Sequence, residues 1–287
     1  MGDIESGFFP GFETRRISVD GVDIHYVTGG SGPPLLLVHG APQSGIMWRR
    51  IAPALAKHFT VVIPDLRGYG RSGKPARGDY SKRRMAADLV AVMEDLGHDR
   101  FFIAGHDRGA RVTRRLIKDH ESRIIKGAIL DIVPTAWVYA NMSAQVAINM
   151  WNWCVFPAPE PIPEMTLDPV GLINMVSGGL GTPDPAAQAD YLATNGNAES
   201  LHAMCEDYRA GVGVDREHDA ADGDRPITVP LLIAWGSRSG STAAIFDVKK
   251  GWAGEGTDML FASIDSAHFM AEEKPEETQA LLLEFFR

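Results

Sequence analysis

Residues 101–109 read Phe-Phe-Ile-Ala-Gly-His-Asp-Arg-Gly, an apolar run followed by two glycines set two positions either side of Asp107. Such a pair permits a sharp, crowded turn that holds the central side chain out. Serine at the centre would suit acyl transfer, but no Gly-x-Ser-x-Gly occurs in the chain. A carboxylate instead suits displacement of a leaving group from an sp³ carbon, which leaves an alkyl ester on Asp107. The competing role for Asp107 is a simple cap on the helix that begins near Arg108. Hydrolysis of that ester needs a base, and His268 follows the last apolar run, Met259–Ile264. The histidine in turn needs an acid to hold its tautomer and stabilise the imidazolium. The segment after the preceding apolar run, Trp235–Gly240, has no acid, whereas Ile129-Leu130-Asp131 ends in one, so Asp131 is assigned that role.

Two further features attend this triad. His39-Gly40-Ala41-Pro42 follows an earlier apolar run. The backbone N–H groups of Ala41 and Arg108 are therefore expected to form an oxyanion hole. Arg108 and Arg111, three apart, share one helix face. Two guanidiniums beside a nucleophilic carboxylate would hold a substrate carboxylate that otherwise repels it. The expected partner is therefore a small anionic, α-substituted acid. Gly68-Tyr-Gly70-Arg-Ser-Gly73 matches the dinucleotide fingerprint only formally. It lies outside the first strand–helix unit and has no acid closing a second strand ~20 residues on, so it is read as a loop.

These residues must be held by regular elements. Glu13–Val19 and Asp23–Val27 alternate in character across Asp20-Gly21, a hairpin signal. Short continuous apolar runs follow at Leu35–Val38, Val61–Ile63, Phe101–Ala104, Ile124–Leu130, Leu231–Trp235 and Met259–Ile264. Runs of that kind suit strands buried on both faces of a parallel sheet. Helical patterns lie between them at Met47–Lys57, Ser81–Leu96, Arg108–His120 and Glu276–Phe286. The alternation predicts an α/β fold, a mostly parallel sheet flanked by helices. It fails between Pro134 and Asp224, where prolines, glycines and tryptophans replace strand-grade runs. An inserted helical cap over residues 135–225 is expected there, with a core built from 1–134 and 226–287.

Composition narrows the partners. The 287 residues carry 28 Lys+Arg against 37 Asp+Glu, a net charge of −9, which argues against a nucleic-acid surface. No apolar run approaches the ~18 residues of a membrane span. The acidic start, with Asp3 and Glu5, lacks the basic region of a secretory leader. Met1-Gly2 with Ser6 matches the myristoylation pattern only loosely, without a polybasic patch. Two cysteines, Cys154 and Cys205, make neither a disulfide framework nor a metal knuckle. A cytoplasmic protein is expected, without nucleic-acid or membrane partners.

Taken together, HGAPQS (39–44), PDLRGYGRSGKP (64–75), GHDRGARV (105–112), LDIVPT (130–135), CEDYRAG (205–211) and SAHFMAEEKPE (266–276) resemble α/β-hydrolases with an Asp-His-Asp triad. The resemblance covers nearly the whole chain and is specifically to the fluoroacetate (haloacetate) dehalogenases. It implies Asp107 as nucleophile, His268 as base, Asp131 as its acid, and Arg108 and Arg111 as the carboxylate site. It also implies a halide site in the cap, where Trp153 and Tyr208 match the family's Trp and Tyr and Asn152 stands where the family has His. An amide donates a hydrogen bond but carries no positive charge, so halide preference turns on position 152. No metal or organic cofactor is implied, and a homodimer is. The nearest alternative is an epoxide hydrolase, with Tyr139, Tyr191 and Tyr208 available to protonate an opening ring. A non-catalytic binding protein on the same fold is more distant.

Overall fold

The computed structural model describes residues 7–181 and 183–287, so the acidic start with Asp3 and Glu5, and the Met1-Gly2-Ser6 pattern, lie outside it. Eight strands form one sheet in the order β1-β2-β4-β3-β5-β6-β7-β8. The hairpin β1 (Glu13–Val19) and β2 (Val22–Gly30) forms where the alternation places it. Asp20 and Gly21 turn it with φ of 50° and 76°, both positive as the favoured two-residue turn requires. β2 runs antiparallel to β4 (Thr60–Pro64). From β4 onward the sheet is parallel through β3 (Pro34–Val38), β5 (Phe101–His106), β6 (Ile124–Leu130), β7 (Leu231–Gly236) and β8 (Met259–Ile264).

The apolar runs are continuous because each strand buries both faces. Leu36 and Val38 join Val62 and Ile103 in a core under the helices carrying Met85, Leu89 and Val112. Their neighbours Leu35 and Leu37 point the other way, into a core with Trp48, Leu282 and Phe286. Helices Lys82–Asp95 and Asp107–Asp119 pack together on the first face. The single helix expected over Met47–Lys57 is instead a 3₁₀ turn, Gly45–Trp48, and a short helix, Ala52–Leu55. Pro53 sits in the first turn of that second piece, where its missing N–H and fixed φ favour starting a helix over continuing one. The glycine-rich segment after β4 is a loop wrapped on Asp65, whose carboxylate accepts from the N–H groups of Gly45 and Arg71 at 2.7 Å each. Among the described residues, no helix is long and apolar enough to cross a membrane.

Between the adjacent strands β6 and β7, the described residues form eight helices from Thr135 to Asp222. Residues 135–225 hold thirteen Asp and Glu against three Arg, so this insertion carries all of the net negative charge and the rest of the chain is close to neutral. Its attachment explains that bias. Six of its aspartates, 184, 190, 207, 215, 219 and 222, pair with six cations of the sheet domain, Arg49, Arg71, Lys82, Arg108, Arg114 and Arg115. Every ion pair across this seam among the described residues places the cation below and the anion above.

The start of helix Asp107–Asp119 lies hard against the end of β3. A Cβ on Gly109 would sit 2.2 Å from the carbonyl oxygen of His39 and 2.7 Å from that of Val38. Both obstacles are backbone and cannot rotate away. Gly109→Ala is expected to cost about 1–3 kcal/mol of stability, the usual range for overpacking, read as a lower midpoint in urea unfolding. An unchanged midpoint would show that helix and strand do not meet this closely.

Candidate active site

In a parallel sheet whose order reverses between neighbouring strands, a crevice opens beyond the carboxyl ends. Here the triad and its backbone donors all follow strand ends: Ala41 after β3, Asp107 after β5, Asp131 after β6 and His268 after β8. Asp107 and Asp131 have φ of 47° and 54°, a conformation that costs non-glycine residues roughly 1–3 kcal/mol and persists only where surroundings enforce it. The surroundings of Asp107 are crowded enough to do so. A Cβ on Gly40 would meet the Asp107 Cβ at 2.7 Å, and one on Gly105 would meet the Gly109 carbonyl at 2.6 Å. Asp107 is thus more than a helix cap. It is the first residue of its helix, bent out of the ordinary backbone range.

The three triad residues come together. His268 Nδ1 lies 2.6 Å from Asp131 Oδ2, and His268 Nε2 lies 4.0 Å from Asp107 Oδ1. That last gap leaves Nε2 without a direct hydrogen bond to the carboxylate. The Ala41 N–H donates to Asp107 Oδ2 at 2.9 Å, as expected of an oxyanion donor. The Arg108 N–H lies in the first helical turn, where backbone donors have no partner within the helix. Asp131 is fully buried and well supplied with donors. Gly236 N–H reaches its Oδ1 at 3.0 Å, and Thr242 N–H reaches Oδ2 at 3.0 Å.

Charge is tuned to match. Burial alone would raise the Asp107 pKa, but His268, His106, Arg108 and the Ala41 N–H outweigh it and hold the carboxyl below its ordinary value. Burial alone would lower His268, but the hydrogen bond and charge of Asp131, with the charge of Asp107, raise it above the usual imidazole value. His106 goes the other way, pushed down to about 4 by burial and then by the charge of His268. It is therefore a neutral ring, 4.6 Å from the His268 ring, whose Nε2 meets the His268 carbonyl at 2.8 Å.

The two arginines expected as a clamp are divided. Arg111 borders the cavity above Asp107, whereas Arg108 does not. Arg108 Nε and Nη2 each donate to the Asp207 carboxylate at 2.8 Å, and Nη2 also reaches the Asp207 carbonyl at 3.0 Å. Only its Nη1 makes none of these bonds. The reason for this division is electrostatic: a fully buried guanidinium takes the nearest carboxylate, and the insertion delivers one. Arg114 and Arg115 are likewise bound to Asp219, Asp222 and Glu255. Lys118 donates to the Arg225 carbonyl. Arg111 alone of the five cations in that helix has no carboxylate partner among the described residues. It is held by the Val133 carbonyl at 3.0 Å and the Thr135 hydroxyl at 2.9 Å, with its guanidinium 4.5 Å from the Trp153 ring centre. Burial, then repulsion from Arg108, pushes it down to about 10, still charged at neutral pH.

Asn152, Trp153 and Tyr208 border the same cavity of about 280 Å³, beside Asp107, Arg111 and His268. Asn152 Nδ2 donates to the Tyr208 hydroxyl at 2.9 Å. The tyrosine oxygen is thus an acceptor toward Asn152, and its own proton has no acceptor among the described residues. The Trp153 indole N–H has none either. Tyr139 and Tyr191 are elsewhere. The first points to the Trp153 carbonyl at 3.4 Å and the second donates to Glu272 at 2.8 Å. Among the described residues no group of three or more His, Cys, Asp and Glu side chains is placed to hold a metal ion.

Four supporting residues escaped the sequence. Asp207 binds Arg108, Lys82 and the Tyr69 hydroxyl at once. Thr242 feeds Asp131. Glu273 accepts the N–H groups of Ala267 and Phe269, which flank His268. His106 underlies the His268 ring. None has a spacing signal; only the position of Asp207 beside Tyr208, and of His106 beside Asp107, could have drawn attention.

A family model for the alpha/beta hydrolase fold matches residues 33–151. A fluoroacetate dehalogenase from Burkholderia sp is 39% identical over 288 residues, covering 96% of this chain and 94% of the relative. A soluble epoxide hydrolase from Corynebacterium sp. (strain C12) is 33% identical over 283 residues, covering 95% and 96%. A crystal structure of an α/β-hydrolase-type protein from Nostoc sp PCC 7120 superimposes with a TM-score of 0.93 at 39% identity, covering 96% and 98%.

Removing one partner of a buried pair strands the other charge and costs about 3–5 kcal/mol. Asp207→Asn strands Arg108 and leaves Lys82 with Asp215 alone at 3.3 Å, so it is expected to lose stability in that range in chemical unfolding. Asp215→Asn is expected to lose less, because Lys82 keeps Asp207. Equal stability of Asp207→Asn and the parent would remove the ion pair as the anchor of the insertion.

Proposed function

The chain belongs to the haloacetate dehalogenase-like family of α/β-hydrolases, and we propose that it is a hydrolytic dehalogenase converting haloacetates, fluoroacetate or chloroacetate, to glycolate and halide. One observation carries this reading. The cavity places an ionised carboxylate, Asp107, beside Arg111, a buried cation without an anionic partner. A ligand that satisfies Arg111 is an anion, and its next carbon lies against a nucleophile.

In the first step Asp107 attacks the carbon bearing halogen. A C–O bond forms, the C–X bond breaks, and the electron pair leaves with the halide. Arg111 holds the substrate carboxylate. The Trp153 N–H and Tyr208 O–H receive the developing halide charge, where preorganised donors matter most. Asn152 contributes by fixing the Tyr208 oxygen, and so supplies orientation without positive charge. In the second step His268 Nε2 takes a proton from water, whose oxygen attacks the Asp107 carboxyl carbon. The Ala41 and Arg108 N–H groups receive the oxyanion, and its collapse expels glycolate, protonated by His268. Asp131 stabilises the imidazolium throughout.

The epoxide hydrolase alternative needs tyrosine protons at the cavity. Of Tyr139, Tyr191 and Tyr208 only the last borders it, and Arg111 would then lack a use. A pure binding role leaves unexplained two aspartates held at strained backbone angles.

Incubation with fluoro-, chloro- and bromoacetate should release halide; no release from any of the three would sink the proposal. His268→Asn should form the ester and stall, so intact mass after chloroacetate should show an adduct on the Asp107 peptide. A fully turning-over His268→Asn protein would remove His268 as base.

The charge of Asp107 helps hold His268 up in the free protein, and esterification deletes that charge. His268 must be neutral to take a proton, so ester decay should rise with pH, through a midpoint below the His268 titration of the free protein. Rapid-quench decay rates against an NMR titration compare the two. A midpoint at or above the free value contradicts the assignment.

A further inference from the structure

The cavity exceeds what a haloacetate needs. It measures about 280 Å³. A haloacetate has about five non-hydrogen atoms, and at about 30 Å³ per water-sized group it fills roughly half of that. Apart from Asn149, Ser241 and Thr242, the remainder is lined mostly by apolar side chains. Helix Pro169–Gly179 of the insertion turns Leu172, Met175, Val176 and Gly179 to the cavity, a spacing that is one apolar stripe of a helix. Its polar residues look away: Ser177 donates to Gln188 Oε1 at 2.5 Å, and Asn174 accepts from Gln188 Nε2 at 2.9 Å. Phe156 and Ile245 continue the apolar lining.

We infer that the preferred substrates are 2-haloacids bearing an apolar substituent on the α-carbon, laid along Leu172, Met175 and Val176. This rests on the dehalogenase reading above and names the substrate class of that same site. The carboxylate stays on Arg111 and the halogen faces Trp153 and Tyr208, so the third substituent takes the space left over. Bond changes are as before: Asp107 forms the C–O bond as C–X breaks, and water then enters the Asp107 carboxyl carbon. The α-carbon is attacked once, so the product is a 2-hydroxy acid of inverted configuration.

The test compares halide release from chloroacetate and from 2-chloro-4-methylpentanoate. Displacement at the secondary carbon is intrinsically slower, so a preference for it must come from binding. Burying about four carbons is expected to outweigh that handicap, giving kcat/KM at least fivefold above chloroacetate and a single inverted product enantiomer. Met175→Trp, at a side chain 49% exposed, should cut the larger substrate at least tenfold and leave chloroacetate within about twofold. Leu172→Phe serves as a second filling variant. Turnover of chloroacetate without preference for the larger acid overturns this inference alone. Equal losses on both substrates in both variants also overturn it. No halide from either substrate overturns the dehalogenase reading beneath it.

Discussion

The buried pair between Arg108 and Asp207 sets the geometry on which the rest depends. Arg108 is the chain neighbour of Asp107, and Asp207 is the chain neighbour of Tyr208. Two bonds of 2.8 Å therefore fasten the turn holding the carboxylate to the helix holding the hydroxyl above it. The guanidinium also lies 4.0 Å from the Tyr208 ring centre, which limits how that ring can tilt. A pair this far from water contributes less to stability than its Coulomb energy suggests, because desolvation opposes it. Its value here is registration: a sheet and a helical unit joined by two chain crossings need one contact that fixes depth and rotation together.

The same pair decides where free charge resides. With Arg108 neutralised, Arg111 is left as the uncompensated cation of the cavity, braced by a carbonyl, a hydroxyl and an indole face. These supports orient it without discharging it. The triad is treated in the same way. Fully buried Asp131 receives the N–H groups of Gly236 and Thr242, and its hydrogen bond and charge draw His268 up toward protonation. Neutral His106 beneath it adds a wall without adding a competing positive charge.

Much of this was legible because the key residues terminate strands. A buried strand shows itself as an apolar run, and Asp107, Asp131 and His268 can be located by counting runs, without knowing any distance. The helix face shared by Arg108 and Arg111 was legible too, but not what each would meet. Asp207, 99 positions from Arg108, is invisible to spacing arguments, and so the ion pair that engages one of the two arginines had no sequence signal. Met47–Lys57 misled for a local reason, since Pro53 opens a helix there and does not sit inside one. Thr242 replaces the acid that the segment after β7 lacks by donating to Asp131, a solution that no residue count could suggest.

The seam between sheet and insertion has a bearing on how such proteins can be recombined. Six aspartates above meet six cations below, and no pair across it runs in the opposite sense among the described residues. The insertion is therefore not an interchangeable module. Transplanted onto a sheet without those cations, it would bring a surplus of ten negative charges to a surface unable to receive them. Exchange of substrate-shaping helices between relatives has to carry the underlying basic side chains along, so the two halves of the seam form one heritable unit despite lying far apart in the chain.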